Sequence, residues 1–213
     1  MTRFEAWLAR RYSLPNEQID QCDIVVPMDY GLCRGTTVLP DAARETIRSA
    51  VPFAEARSAL IVWSTYNGIG KKLKVEGDQL KVELVRLLQP VTGFPFVRVR
   101  VFFSEEGCSN SVDEAQSIKR MLDAKGIPYK GKTIVCVCDW VHARSVRRIW
   151  EEIFPDSTIK VRSIFGIRWS KSNYEILLRS FPRWFAVNIL RLLSLIVFGM
   201  ERTARIRHPV SVR

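Results

Sequence analysis

Two short stretches of this chain combine ionisable and hydroxyl side chains in a way that suits catalysis or ligand binding. The first stretch, Ser104–Asp113, carries the carboxylates of Glu105 and Asp113, the amide of Asn110 and the hydroxyl of Ser111. A positioned carboxylate acts as a general base, and the N-terminus of a following helix attracts phosphate. Solvated acids around a helix cap give the same pattern, so a purely structural role stays open.

The second stretch centres on His142, one of two histidines in the chain, with Asp139 three residues before it and Arg144 two residues after it. An imidazole titrates near neutral pH, so His142 suits a general acid or base or a phosphate ligand. A hydrogen-bonded surface histidine near Trp140 is the alternative.

Two further apolar segments end in glycine turns. The first ends at Gly31, and the second runs through Ser64 and Gly68 to Gly70. Glycine lets a backbone approach a ligand closely, although turn formation alone also explains it. Neither segment matches a P-loop or a dinucleotide-binding glycine pattern.

The elements that must position these residues alternate along the chain. Apolar strand-like runs lie at Asp23–Met28, Ala59–Ser64, Phe96–Phe103, Thr133–Cys138 and Thr158–Ile164. Helical spacing occupies Pro40–Ala56, Gly77–Leu88, Ser111–Ala124 and Val141–Phe154. This alternation predicts an α/β fold, a Rossmann-like three-layer sandwich with a mostly parallel sheet of about five strands. The polar residues would then follow the carboxyl ends of the strands, where such sheets bind ligands.

Composition indicates a folded protein in a reducing compartment. Hydrophobic residues make up 47% and charged residues 26% of 213 residues, which argues against wholesale disorder. We expect an N-terminal helix within 1–21, an α/β domain over 22–165 and a C-terminal segment over 166–213, with no signal peptide. Five cysteines are present, and Cys136 and Cys138 fall on one face of a strand, where they read as small apolar residues rather than metal ligands.

The C-terminal segment holds most of the positive charge. The chain carries +11 in total, and residues 160–213 account for +9 of it. Charge confined in this way argues against a nucleic-acid partner. A helix near 182–200 has a narrow polar stripe of Asn188, Arg191 and Ser194 and a wide apolar face, and basic residues continue to 207. An in-plane helix on an anionic membrane and a helix packed on the sheet both fit this pattern, and a spanning helix is a third interpretation.

Taken together, the strand ends resemble the YdcF/SanA/ElyC family of bacterial α/β domains over roughly residues 22–165. The matching positions are Gly31, Arg44, Ser64–Gly70, Glu105, Asn110, Ser111, Asp113 and His142. The chain departs from the family pattern at Cys108, Asp113, Glu114 and Ser145, so the resemblance is to a divergent member.

The resemblance implies a Rossmann-like domain linked to envelope polysaccharide and lipid-carrier metabolism. We therefore expect a hydrolase or transferase acting on a phosphate-containing, lipid-linked intermediate at the inner face of the membrane. Its catalytic residues would be Glu105 or Asp113, activating water, and His142, protonating the leaving group. Ligand-binding positions would be Arg44, Gly31, Ser64, Gly68, Asn110, Ser111, Asp139 and Arg144. The alternatives are a nucleotide or S-adenosylmethionine binding module without catalysis, and a membrane-associated partner protein with a vestigial site. The sequence does not identify a cofactor.

Overall fold

The computed structural model describes residues 2–14, 19–28, 30, 41–66, 100–108, 110–166 and 180–205. Within them lies a five-stranded sheet in which every pair of neighbours is parallel, in the order β3-β2-β1-β4-β5. The strands are β1 (Ile24–Pro27), β2 (Leu60–Tyr66), β3 (Val101–Cys108), β4 (Thr133–Asp139) and β5 (Thr158–Ile164). The helices are α1 (Arg3–Tyr12), α2 (Asp41–Glu55), α3 (Ser111–Ala124), α4 (Ala143–Ile153) and α5 (Phe181–Arg205). The expected α/β sandwich is confirmed.

The central strands are buried on both faces. Every residue of β1 is buried, and so is every residue of β4 after Thr133. Helices cover both sides of a parallel sheet, which explains why these strands are continuous apolar runs rather than alternating ones. Cys136 and Cys138 lie fully buried in β4 as free thiols.

The third strand continues beyond the end that the sequence predicts. We expected it to stop at Phe103, with a polar loop from Ser104, but β3 continues to Cys108. The extra residues pair with β2, where Ser64 lies opposite Ser104 and Tyr66 opposite Cys108 across an irregularity in register. Pairing with a neighbouring strand therefore outweighs the polar composition of this stretch. The helix expected at 77–88 and the strand residues 96–99 lie outside the described residues.

Helix α5 follows the sheet and differs from the other helices in composition. Its segment Phe181–Met200 is long and apolar enough to cross a membrane, a test of length and composition that core helices of soluble proteins also pass. Gly199 has φ 73°, which interrupts the helical geometry close to the end of this segment. Helix α5 also contacts α3 and α4, so it packs against the sheet-bearing domain.

Candidate functional site

The site lies where the strand order reverses. The chain passes from β1 outward through β2 to β3 and then returns to place β4 on the other side of β1. Helices leaving β1 and β4 therefore diverge, which opens a crevice at the carboxyl ends of these two strands. Tyr30 follows β1, and Asp139 is the last residue of β4.

Asp139 is buried and accepts hydrogen bonds on both carboxylate oxygens. Its Oδ2 accepts from the hydroxyl of Tyr30 at 2.8 Å, and its Oδ1 accepts from the indole Nε1 of Trp184 at 3.0 Å. The same Oδ1 accepts from the backbone N–H groups of Val141 at 2.9 Å and His142 at 3.2 Å. The Tyr30 hydroxyl in turn accepts from the backbone N–H of Asp139 at 2.9 Å. Asp139 thus ties the turn after β4 to Tyr30 and Trp184.

Burial has the largest effect on the pKa values of Asp139 and Tyr30. It raises the pKa of Asp139 above the ordinary aspartate value. The hydrogen bonds from Trp184, Tyr30 and the two backbone N–H groups lower this pKa, but their effect is smaller than that of burial. Burial and the neighbouring Asp139 raise the pKa of Tyr30 well above that of a free tyrosine. Tyr30 is therefore a neutral hydrogen-bond donor near neutral pH.

A serine, a histidine and an arginine meet beside this carboxylate. The Oγ of Ser111 lies 3.0 Å from Nε2 of His142. One guanidinium nitrogen of Arg191 lies 3.4 Å from Ser111 Oγ and 3.5 Å from His142 Nε2. With the imidazole proton on Nδ1, the arginine donates to the serine oxygen and the serine hydroxyl donates to the imidazole. This tautomer produces a directed chain of donors from Arg191 through Ser111 to His142.

Local structure positions the backbone at Ser111 and His142. Asn110 caps α3, because its Oδ1 accepts from the backbone N–H groups of Val112 at 2.8 Å and Asp113 at 3.0 Å. Ser111 is then the first residue of α3. His142 precedes α4, and its backbone N–H is held by the Asp139 carboxylate. Each partner of the pair thus stands at the start of a helix that follows a strand.

Helix α5 closes the site from outside. The rings of Trp184, Tyr30 and His142 contact one another edge to face, with centroids 5.4–6.3 Å apart. Trp184 and Arg191 both come from α5, and with them in place His142 is only 3% and Ser111 only 6% exposed. The structure therefore holds a covered site rather than an open cleft.

The other residues predicted for the site lie in different surroundings. Asp113 is half-buried in the first turn of α3, where its Oδ2 accepts from the amide of Asn110 at 3.0 Å. Ser64 is fully buried on β2 and faces no hydrogen-bond partner among the described residues. Arg144 donates its Nε–H to the carbonyl of Tyr12 at 2.6 Å, which fastens the end of α1.

Arg44 lies on α2, half-buried. Glu105 belongs to β3, and its side chain is outside the described part of the chain, as are Gly31 and Gly68. Three residues that sequence reasoning did not assign to the site, Tyr30, Trp184 and Arg191, are central to it. The one available signal was the polar stripe that includes Arg191.

Among the described residues, no group of three or more His, Cys, Asp and Glu side chains is arranged to hold a metal ion. The fold and the site define a Rossmann-like α/β domain with a serine–histidine pair that lies at the carboxyl end of its sheet and is covered by α5. Comparison of the chain with family models, curated proteins and solved structures finds no match. The resemblance to the YdcF/SanA/ElyC family stays an expectation that rests on the sequence.

Proposed function

We propose that the protein is a hydrolase or transferase acting on a phosphate-containing, lipid-linked substrate, with Ser111 and His142 as its catalytic pair. The observation that carries this proposal is the contact of Ser111 Oγ with His142 Nε2 at 3.0 Å beside the Arg191 guanidinium. A hydroxyl bonded to an imidazole is the arrangement that activates serine as a nucleophile.

The proposed chemistry uses the tautomer in which Nε2 of His142 accepts from Ser111 Oγ. As Ser111 Oγ forms a bond to phosphorus, its proton passes to His142 Nε2, and the bond between phosphorus and the leaving oxygen breaks. Because the attacking and leaving oxygens lie nearly in line across the phosphorus, the leaving oxygen takes its proton from solvent rather than from the imidazolium beside Ser111. Water or an acceptor hydroxyl afterwards attacks the phosphorus from the side that the leaving group has vacated and gives up its proton, while the imidazolium returns its proton to Ser111 Oγ. Activation of that water by Glu105 or Asp113 stays a prediction.

Arg191 favours a phosphate over a neutral substrate. A guanidinium presents paired N–H donors that match phosphate oxygens and offset the negative charge in the transition state. The N-terminus of α3 adds a favourable dipole, although Asn110 already accepts from two of its N–H groups. An anion here would therefore depend mainly on Arg191, Ser111 and His142.

A second candidate is a membrane-associated partner protein whose site is vestigial. The burial of Ser111 and His142 beneath α5 favours it, because only 6% of Ser111 and 3% of His142 is exposed to a substrate. For both candidates we propose a peripheral location at the cytoplasmic face of the membrane, which the apolar C-terminal helix supports.

The test is turnover of phosphomonoesters, phosphodiesters and polyprenyl pyrophosphates, with phosphate release and product mass as readouts. We expect Ser111→Ala and His142→Ala each to lower turnover by about 10²-fold or more. Ser163→Ala is the matched control, since this buried hydroxyl on β5 has no hydrogen-bond partner among the described residues. Quenched wild-type enzyme should carry a phosphoryl group on Ser111. Full turnover in His142→Ala contradicts the assigned roles, and no wild-type turnover on any of these substrates favours the vestigial site.

A further inference from the structure

Helix α5 has its polar stripe turned inward. Asn188 is fully buried, and Trp184 and Ser194 are also buried against the domain. The opposite face is apolar and exposed, with Leu190 at 65% and Val197 at 66% exposure. A soluble domain normally buries the apolar face of such a helix and exposes the polar one. Because its orientation is reversed, α5 exposes an apolar surface that is suited to binding a partner.

The exposed apolar side chains concentrate on this face. Of the eight large apolar side chains that the described residues leave exposed, five belong to α5. Leu190, Leu193, Ile196 and Val197 are spaced three and four residues apart, so they form one continuous strip, which we call the outer face of α5. Contiguous apolar strips of this kind mark binding surfaces for proteins or membranes.

The charge that flanks this strip in the sequence favours an anionic partner. Arg179 and Arg183 precede the outer face along the chain, and Arg202, Arg205 and Arg207 follow it, against the single acid Glu201. A second copy of the chain would bring the same positive charges to the interface, and their repulsion would oppose pairing. Anionic lipid headgroups attract these arginines while the acyl region takes up the apolar strip.

The contacts of α5 favour a helix lying in the membrane plane. Trp184 and Arg191 hydrogen bond to Asp139 and Ser111, and a spanning orientation would break both contacts. The regular part of the helix, 181–198, is about 27 Å long, close to the minimum for spanning a bilayer, so the orientation follows from these contacts rather than from the length. Gly199 ends that regular part.

We propose that the outer face of α5 docks flat on an anionic lipid bilayer, with the sheet-bearing domain on the water side. Since Ser111 contacts the inner face of the same helix, docking places the Ser111–His142 pair about 10 Å, one helix diameter, from the lipid headgroups. Docking of this surface does not require that the protein be an enzyme. That docking brings the Ser111–His142 pair close to a lipid-linked substrate rests on the proposed function.

The test is flotation of the full chain with vesicles of phosphatidylcholine alone or mixed with phosphatidylglycerol. Wild-type protein should float with the anionic vesicles, and high salt should release it. The double variant Leu190→Glu with Val197→Glu should bind at least about tenfold more weakly, because two side chains that enter the apolar region become charged. The matched control, Gln116→Glu with Ala124→Glu, adds the same charge at exposed positions of α3 and should bind like wild type.

Several outcomes overturn the proposal. They are wild-type protein that does not float, a double variant that floats equally well, and binding that survives alkaline carbonate, which would indicate a spanning helix. A lipid-free dimer that the double variant dissociates would assign the outer face to a second copy of the chain. Circular dichroism verifies that each variant is folded. His142→Ala should float like wild type, so a failure of docking and a failure of catalysis are told apart.

Discussion

The buried contact between Tyr30 and Asp139 leads to a quantitative prediction for Tyr30→Phe. This change keeps the ring and removes only the hydroxyl, which donates to Asp139 Oδ2 and accepts from the Asp139 backbone N–H. A hydrogen bond to a charged group contributes about 1.5–3 kcal/mol, and a buried donor left without an acceptor costs about 1–3 kcal/mol. We therefore expect the free energy of unfolding to fall by about 3 kcal/mol near neutral pH.

Tyr12→Phe is the matched control for this prediction. The hydroxyl of Tyr12 is buried and has no hydrogen-bond partner among the described residues. The Tyr12→Phe change removes a polar atom but no hydrogen bond, so the free energy of unfolding should change by less than about 0.5 kcal/mol or rise slightly. Urea unfolding followed by tryptophan fluorescence measures both variants. A loss in Tyr30→Phe no greater than that in Tyr12→Phe would refute the reasoning.

The pH dependence supplies a second readout of the same contact. Burial raises the folded pKa of Asp139 above its unfolded value, so ionisation of this residue costs stability as pH rises through the folded pKa. The Tyr30 hydrogen bond opposes that cost by stabilising the carboxylate. Its contribution is complete above the folded pKa and declines as pH falls through it. The difference between wild type and Tyr30→Phe should therefore shrink in acid, and a difference that grows there contradicts this account.

Three further predictions concern the cap of α3, the end of α1 and the buried thiol of Cys22. Asn110→Ala removes the cap of α3 and should cost about 1 kcal/mol in urea unfolding, whereas Asn110→Asp should retain most of that stability. Arg144→Ala frees the end of α1, so amide hydrogen exchange in α1 should accelerate, while the exposed neighbour Arg148→Ala leaves exchange unchanged. Burial raises the pKa of Cys22 to about 12, so iodoacetamide at pH 8 should label this thiol only after unfolding; rapid labelling of the native protein, detected by mass spectrometry, contradicts that assignment.

The fold was largely predictable because the apolar runs and the helical spacing alternate. β1 and β4 are buried on both faces, so in the sequence they appear as unbroken apolar runs. The segment after Phe103 was misjudged, because its polar composition says nothing about pairing with β2. Hydrogen bonds between strands depend on backbone register, which side-chain composition reflects only weakly.

The site was predictable only where its residues follow strands. Ser111 and His142 were both selected because they stand at strand-to-helix junctions, but their mutual contact requires the sheet that brings β3 and β4 into one fold. Trp184 and Arg191 were not selected, since no local pattern reveals where a distant helix will pack. The polar stripe of α5 was visible in the sequence, but the direction in which it faces was not.

The contacts of Asp139 join distant parts of the chain. Its partner Tyr30 lies 109 residues before it, and Trp184 lies 45 residues after it. Contacts between such distant residues form only after the intervening loops have closed, a step that slows folding. All five strands precede α5 in the chain, so they are synthesised before the helix that supplies Trp184 and covers His142. Helix α5 therefore completes a site whose first residue, Tyr30, lies 154 positions before Trp184 in the chain.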